Sequence, residues 1–243
     1  MQIQVAVAKI GKHAVSESGD TLEMIERPNG GLSLVLADGQ RSGKAAKTIS
    51  TLVCSKALSL LAEGVRDGAA ARATADYLYT LRRGKVTATL NIVSVDMDSK
   101  TLVLSRNSHC PTIVQHGIDD QQILEADAPP IGAHRGVKPQ IKELPLKIGM
   151  LAVTFTDGIY TAGERSGDPI DLPAFVADLY YQHHDGLDVA RPIADALLEE
   201  AYRRDDRRPA DDMSVLVVAV TPHDEDEVRR LNVTFPIPPV LRP

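Results

Sequence analysis

The chain has 243 residues, 43% of them hydrophobic and 25% charged, the composition of a globular protein long enough for one large domain or two small ones, which excludes a disordered or fibrous chain. Its formal net charge of −6 argues against a nucleic-acid surface, because phosphate backbones are held by clustered Lys and Arg. Cys54 and Cys110 are too few for a disulfide scaffold or a four-ligand zinc site, which points to a reducing cytosol; no secretory signal opens the chain, and no apolar run approaches the roughly 20 residues that span a bilayer.

Residues 2–9, QIQVAVAK, alternate polar and apolar side chains, and GLSLVLAD from Gly31 repeats the pattern after a turn at RPNGG, so the spacing predicts hairpin-linked strands. From Gly43 the period lengthens: Ile49, Leu52, Val53, Leu60 and Leu61 fit a helix with Gly64 as its stop, and a second helix follows in AAARATADYLYTLRRG. The runs VTATLNIVSVD, TLVLSRNS and PTIVQHG are rich in β-branched residues and read as a meander. DAPPIGAHRGVKP is a Pro/Gly loop, and IKELPLKIG and MLAVTFTDG resume strand character. Helices around LPAFVADLYYQH and VARPIADALLEEAYRR precede a last strand, MSVLVVAVT. Elements grouped in blocks predict an α+β fold of antiparallel sheets with helices packed outside them. One domain is expected over 1–222, followed by a charged, then proline-rich extension over 223–243, either loosely held or an extra edge strand.

Acids recur where strands end or begin: Asp38 in LVLADG, Asp157 in VTFTDG, Asp211 and Asp212 in RPADDMSVLVV, and Asp20 in SESGD. Carboxylates at neighbouring strand ends can converge, and converging carboxylates repel unless a hard cation neutralises them. Asp and Gly without nearby Cys suit Mg²⁺ or Mn²⁺ better than zinc. The plainer alternative is turn chemistry, in which each Asp hydrogen-bonds its own backbone. Spacing alone leaves both open.

The ordered set SGD, ADGQRSGKAA, TATLNIVSVD, SRNSHCP, PIG, VTFTDGIYTA and DDMSVLVV resembles the metal-dependent Ser/Thr protein phosphatases of the 2C type, and most of all their bacterial branch with SpoIIE, RsbU and RsbX. The resemblance covers about residues 3–220. It implies a four-layer α-β-β-α sandwich, two central antiparallel sheets flanked by helices, with a binuclear Mn²⁺ or Mg²⁺ site at one edge. Carried over by position, Asp38 corresponds to the acid bridging both metals, Gly39 to a ligand through its carbonyl, and Asp157 and Asp211 to ligands of the first metal. Asp212 corresponds to a supporting position, and Asp20 to an acid near the second metal, often in contact through water. The implied activity is direct hydrolysis of phosphoserine or phosphothreonine by a metal-activated water, with no protein nucleophile. STAS-type antagonists of anti-sigma factors or stressosome proteins are the implied substrates, in the cytoplasm, with no nucleic-acid or membrane partner. No sensor domain is expected ahead of the catalytic part, and regulation is expected from a partner, metal supply or expression.

Where relatives commonly have DGMGHG or DVSGKG, this chain has DGQRSG. Arg41 either grips substrate phosphate or is a solvated loop side chain. His109, in NSH where relatives have AGH, and His134 are either proton donors to the leaving group or structural hydrogen-bonders. Cys110 has no base and orienter that would make it a nucleophile. Lys44 and Lys47, on the helix after the Asp38 loop, either attract a phosphoprotein or form a solvated face. ERSGDPIDLPAF is a candidate substrate-facing flap. Two rival functions remain at this stage: a phosphatase-fold binding module without useful metal affinity, and a small-phosphoester hydrolase.

Overall fold

The computed structural model describes residues 1–28, 30–223 and 227–236. Two antiparallel five-stranded sheets form the centre. The first has the order β1 (Gln2–Ile10), β10 (Met213–Thr221), β9 (Leu151–Phe155), β6 (Thr112–Gly117), β7 (Asp120–Leu124). The second runs β2 (Asp20–Glu26), β3 (Gly31–Asp38), β4 (Leu90–Asp96), β5 (Thr101–Asn107), β8 (Gln140–Pro145). Helices α1 (Gly43–Ala62) and α2 (Asp67–Arg82) cover the second sheet. Helices α4 (Leu172–His183) and α5 (Ala190–Arg204) cover the first, and a four-residue helix, α3 (Asp157–Tyr160), follows β9. This is the expected four-layer sandwich.

Strand periodicity explains the layering. In β10, Met213, Val215, Val217 and Ala219 face the helices, whereas Leu216, Val218 and Val220 face the other sheet. In β4, Leu90 and Ile92 pack under α1 and α2, while Val93 and Val95 enter the inter-sheet core. A strand buried on both faces loses the polar half of the alternation, which is why MSVLVVAVT reads as a continuous apolar run. Helix α1 is long and apolar enough to cross a membrane, but Ile49, Val53, Ala57 and Leu61 form a buried stripe that packs in the core with β3 and β4. Glu63 ends that helix, and Gly64 follows in the left-handed region.

Two strand pairings differ from expectation. The hairpin across RPNGG joins β2 to β3, while QIQVAVAK pairs with β10 in the other sheet. Local alternation fixes which face a strand buries but not which neighbour it takes, and Asp20–Glu26, with polar Glu23 and Asp20, shows a weaker pattern. The meander also breaks: β4 and β5 form a hairpin, but β5 next pairs with β8, and β6 crosses to pair with β7 and β9. SRNSHCP is therefore a crossover between sheets. At the end away from Asp38, buried Asp67 accepts from Arg27 Nη1 (2.8 Å) and from Ser94 Oγ, tying α2 to β2 and β4. Residues 227–236 are irregular and exposed, and the rest of the predicted extension's proline-rich end lies outside the described residues.

Leu102 is fully buried between the sheets, far from the Asp38 end of its sheet. Leu102→Ala should cost about 2–5 kcal/mol in urea unfolding, the usual penalty for a core cavity. The exposed Ile148→Ala, in a turn, should stay within about 0.5 kcal/mol of the parent.

Candidate functional site

The two sheets bring five strand-end acids to one end of the sandwich. Asp20 opens β2 and Asp38 closes β3, and the register sets them directly opposite one another. Asp157 opens α3 two residues after β9, and Asp211 and Asp212 lead into β10, whose register sets Val215 opposite Phe155. The Thr156 N–H donates to the Ser214 carbonyl (3.0 Å), so the Asp157 and Asp211 segments lie side by side.

Asp20 joins the sheets. Its Oδ2 accepts from Ser214 Oγ (2.6 Å) and Thr156 Oγ1 (2.9 Å), both in or beside the other sheet. Its Oδ1 is buried with no hydrogen-bond partner. Lys9 Nζ and Lys47 Nζ each donate to the Asp20 carbonyl at 2.8 Å, and Lys47 also reaches Thr21 Oγ1 (2.9 Å). Asp212 is buried and accepts the N–H groups of Lys12 (2.9 Å) and Gly19 (2.8 Å), which fastens the 11–19 loop against the start of β10. Asp211 is half exposed, with Oδ1 3.8 Å from Lys12 Nζ.

Glycine is required where backbones meet. A Cβ on Gly39 would strike the Ala46 carbonyl of α1, and one on Gly158 would strike the Asp212 carbonyl. Gly39 faces Ala88 in a bridge whose hydrogen bonds are made by its neighbours, Gln40 N–H to Thr87 O and Thr89 N–H to Asp38 O. In that type of antiparallel pair the central residue's own N–H and C=O turn away from the partner, which leaves the Gly39 carbonyl directed elsewhere.

Electrostatics mark the cluster as short of positive charge. Burial, then Asp20, Asp157 and Asp211, push Asp38 up to about 9. Burial lifts Asp20 to about 7, against the lowering effect of the Ser214 and Thr156 hydrogen bonds. Asp157 is also raised, by burial and then by Asp211, with His109 opposing. Among the described residues no three His, Cys, Asp or Glu side chains form a ready-made cage. An all-oxygen set of a few carboxylates, one carbonyl and an orphaned buried carboxyl oxygen fits Mg²⁺ or Mn²⁺, since Mg²⁺ takes one or two carboxylates and keeps several waters. Both thiols are unsuited to metal or nucleophilic duty: burial pushes Cys54 and Cys110 each up to about 12.

His109 is exposed at the rim, edge-on to Tyr160 with ring centroids 6.3 Å apart. Arg41 is exposed and held at φ 79°, where a side chain is strained. His134 lies elsewhere: its neighbours Arg135 and Gly136 contact Tyr79 and Asp76 of α2. The flap sequence forms a short turn of 3-10 helix at Glu164–Ser166. Sequence reasoning missed Thr156, Ser214, Lys9 and Lys12. Ser214 did carry a signal, as a single hydroxyl set within an apolar strand end, and Thr156 one as a hydroxyl just before Asp157.

The family model for Stage II sporulation protein E (SpoIIE) matches residues 28–221. Stage II sporulation protein E of Bacillus subtilis (strain 168) is 24% identical over 221 residues, 90% of this chain and 26% of that protein, so the chain spans about a quarter of its relative's length. Among solved structures, the PP2C phosphatase domain of B. subtilis SpoIIE with a regulatory-domain fragment superposes with a TM-score of 0.75 at 22% identity, over 90% of this chain and 63% of that one. The RsbU and RsbW domains of a Mycobacterium tuberculosis protein give a TM-score of 0.74 at 20% identity, over 91% and 62%. RsbX, solved in complex with magnesium, gives 0.67 at 16% identity, over 89% and 94%. These structures share the fold.

The raised carboxyls set the pH dependence of the metal-free protein. Asp38 has an ordinary value of 3.8 when unfolded and about 9 when folded, so between these values the native state binds more protons and stability falls as pH rises. Melting temperatures in EDTA should therefore decline from pH 5 to pH 9. Asp38→Asn should flatten that decline and melt above the parent at pH 9; parallel curves for the two proteins would refute the electrostatic account.

Proposed function

The chain belongs to the SpoIIE family, and we propose that it is a metal-dependent phosphoprotein phosphatase that hydrolyses phosphoserine or phosphothreonine. The observation that carries this reading is the gathering of Asp20, Asp38, Asp157 and Asp211 at one end of both sheets, where their mutual repulsion calls for cations.

In this reading Asp38, Asp157, Asp211 and the Gly39 carbonyl would hold two Mn²⁺ or Mg²⁺ ions, with Asp20 supporting them. When bound, such ions supply Lewis acidity, activation of water at neutral pH and neutralisation of charge on the phosphoryl oxygens. The protein's part is placement. Thr156 and Ser214 hold Asp20 against the opposite sheet, Asp212 holds the 11–19 loop, and close packing at Gly39 and Gly158 fixes the backbone on which Asp38 and Asp157 stand. Arg41, exposed two residues past Gly39, would meet the substrate phosphate, and His109 would face the substrate from the Asp157 side. A STAS-type regulator or stressosome protein in the cytosol is the proposed substrate, supported by the shared fold with RsbU and RsbX domains.

Hydrolysis of p-nitrophenyl phosphate and of a phosphoserine STAS protein should require Mn²⁺ or Mg²⁺ and should stop in EDTA and in Asp157→Asn. Turnover that survives both treatments would overturn the metal-dependent reading; binding of the phosphoprotein with no turnover under any condition would favour a binding module. Activity on the small ester alone would point to a small-phosphoester hydrolase. Arg41→Ala leaves the backbone strain in place and removes the guanidinium, so KM for the phosphoprotein should rise about tenfold, in line with a lost charged hydrogen bond. Unchanged kinetics would return Arg41 to solvent.

A further inference from the structure

Arg106, near the end of β5, is 5% exposed, and burial lowers its pKa. No carboxylate forms an ion pair with it among the described residues. Its guanidinium donates instead to main-chain carbonyls, Nη1 to those of Ser108 and Cys110 (3.3 Å to the latter) and Nη2 to that of Ala126. The two carbonyls taken by Nη1 flank His109. Asp127 lends Arg106 a favourable field without forming an ion pair, and a buried cation so weakly paired is expensive, where an apolar side chain would close a turn at lower cost.

Further side-chain bonds fasten the turn. Ser108 Oγ accepts the Cys110 N–H (3.1 Å), and Asn107 Nδ2 donates to the carbonyls of Pro129 (3.1 Å) and Lys138 (3.3 Å). Arg106, Asn107, Ser108 and Cys110 are all buried, and only His109 between them projects to solvent. It projects onto Tyr160, 41% exposed, at the end of the helix that Asp157 opens; Tyr160 in turn stacks on buried Phe155 at 6.3 Å. Tyr160 closes the four-residue helix that Asp157 opens, so the pair stands next to the acids.

We propose that Arg106 is a positioning residue that holds His109 against Tyr160 to form a fixed rim, on which the polypeptide beside the phosphoserine rests. The inference builds on the phosphatase reading and assigns that site its protein-substrate contact. An imidazole edge and a phenol ring offer flat, amphipathic area to a peptide at small entropic cost, since both have few rotatable bonds. A small ester, bound through its phosphate, reaches little of that rim.

The test compares Arg106→Met, Arg106→Lys, His109→Ala and the Met/Ala double variant on a phosphoserine STAS protein and on p-nitrophenyl phosphate, each with Mn²⁺. For Arg106→Met, KM for the phosphoprotein should rise about tenfold, and kcat/KM should fall more for the protein than for the small ester. The double variant should be no worse than the poorer single one, because both act through His109. Arg106→Lys, which keeps a donor for some of the carbonyls, should recover part of the loss. Amide hydrogen exchange at Ser108–Cys110 should speed up in Arg106→Met while the Mn²⁺ binding isotherm holds. Equal losses on both substrates, additive effects, or unaltered exchange would make Arg106 a general stabilising residue and overturn the proposal. If Arg106→Met fails to fold, Arg106→Lys and His109→Ala carry the comparison, and a lysine variant indistinguishable from the parent on both substrates and in exchange overturns it. Wild-type protein that binds the phosphoprotein without turning it over would sink the phosphatase reading alone, with the rim then tested by the loss of affinity in Arg106→Met; wild-type protein that neither binds nor hydrolyses it would sink both.

Discussion

The hydrogen bonds from Ser214 and Thr156 to Asp20 are the hinge on which the acid end of the molecule depends. Apart from these bonds and those of Lys9 to the Asp20 carbonyl and Gly19 N–H to Asp212, the sheets meet through an apolar core, and hydrophobic burial is non-directional: it sets the spacing of layers but not their sliding register. A buried carboxylate with two hydroxyl donors from the opposite sheet fixes that register at one end. Because Asp20 pairs directly with Asp38, and Thr156 and Ser214 adjoin Asp157 and Asp212, locking this one contact places four acids relative to each other.

The same contact shows why the acids stay in spite of their mutual repulsion. Asp20 and Asp38 are both driven upward in pKa, and an apolar replacement at Asp38 would relieve desolvation, whereas one at Asp20 would also strip Ser214 and Thr156 of their acceptor. Three separate apolar cores carry the stability of the fold, one between the sheets and one under each helical layer. The acid end is tied to them through rigid strand termini, so it can be electrostatically costly without being soft. Gly39 against Ala46 and Gly158 against Asp212 serve the same end, with backbone on backbone and no side chain to yield.

Much of this was legible in the sequence, because periodicity is a local property. Strand and helix character, the layered class and the strand-end position of each acid follow from side chains two, three and four residues apart. Pairing is not local. QIQVAVAK went to β10, more than two hundred residues away, and PTIVQHG left the expected meander because SRNSHCP carries the chain from one sheet to the other. Thr156 and Ser214 were legible only as oddities, since their acceptor lies 136 and 194 residues distant. Arg106 sits within a β-rich run and reads as a solvent-facing strand residue. Nothing in its neighbours announces that its three acceptors are main-chain carbonyls, two of them just ahead of it in the chain and one 20 residues on.

The crossover SRNSHCP shows how a topological necessity and a functional one share a segment. A strand leaving one sheet for the other must turn sharply, and the polar backbone of that turn has to be satisfied out of water's reach. Arg106 and Ser108 satisfy it from within the turn, and the long loop 125–138 receives three bonds from Arg106 and Asn107. That loop continues to Ile131, which pairs with Ala88, which pairs with Gly39. One line of main-chain and side-chain bonds therefore runs from the His109 turn to the backbone of Asp38 and Gln40 on either side of Gly39. The residues that close the crossover also set the distance between the rim and the acids, so sequence change in the turn is constrained from both directions.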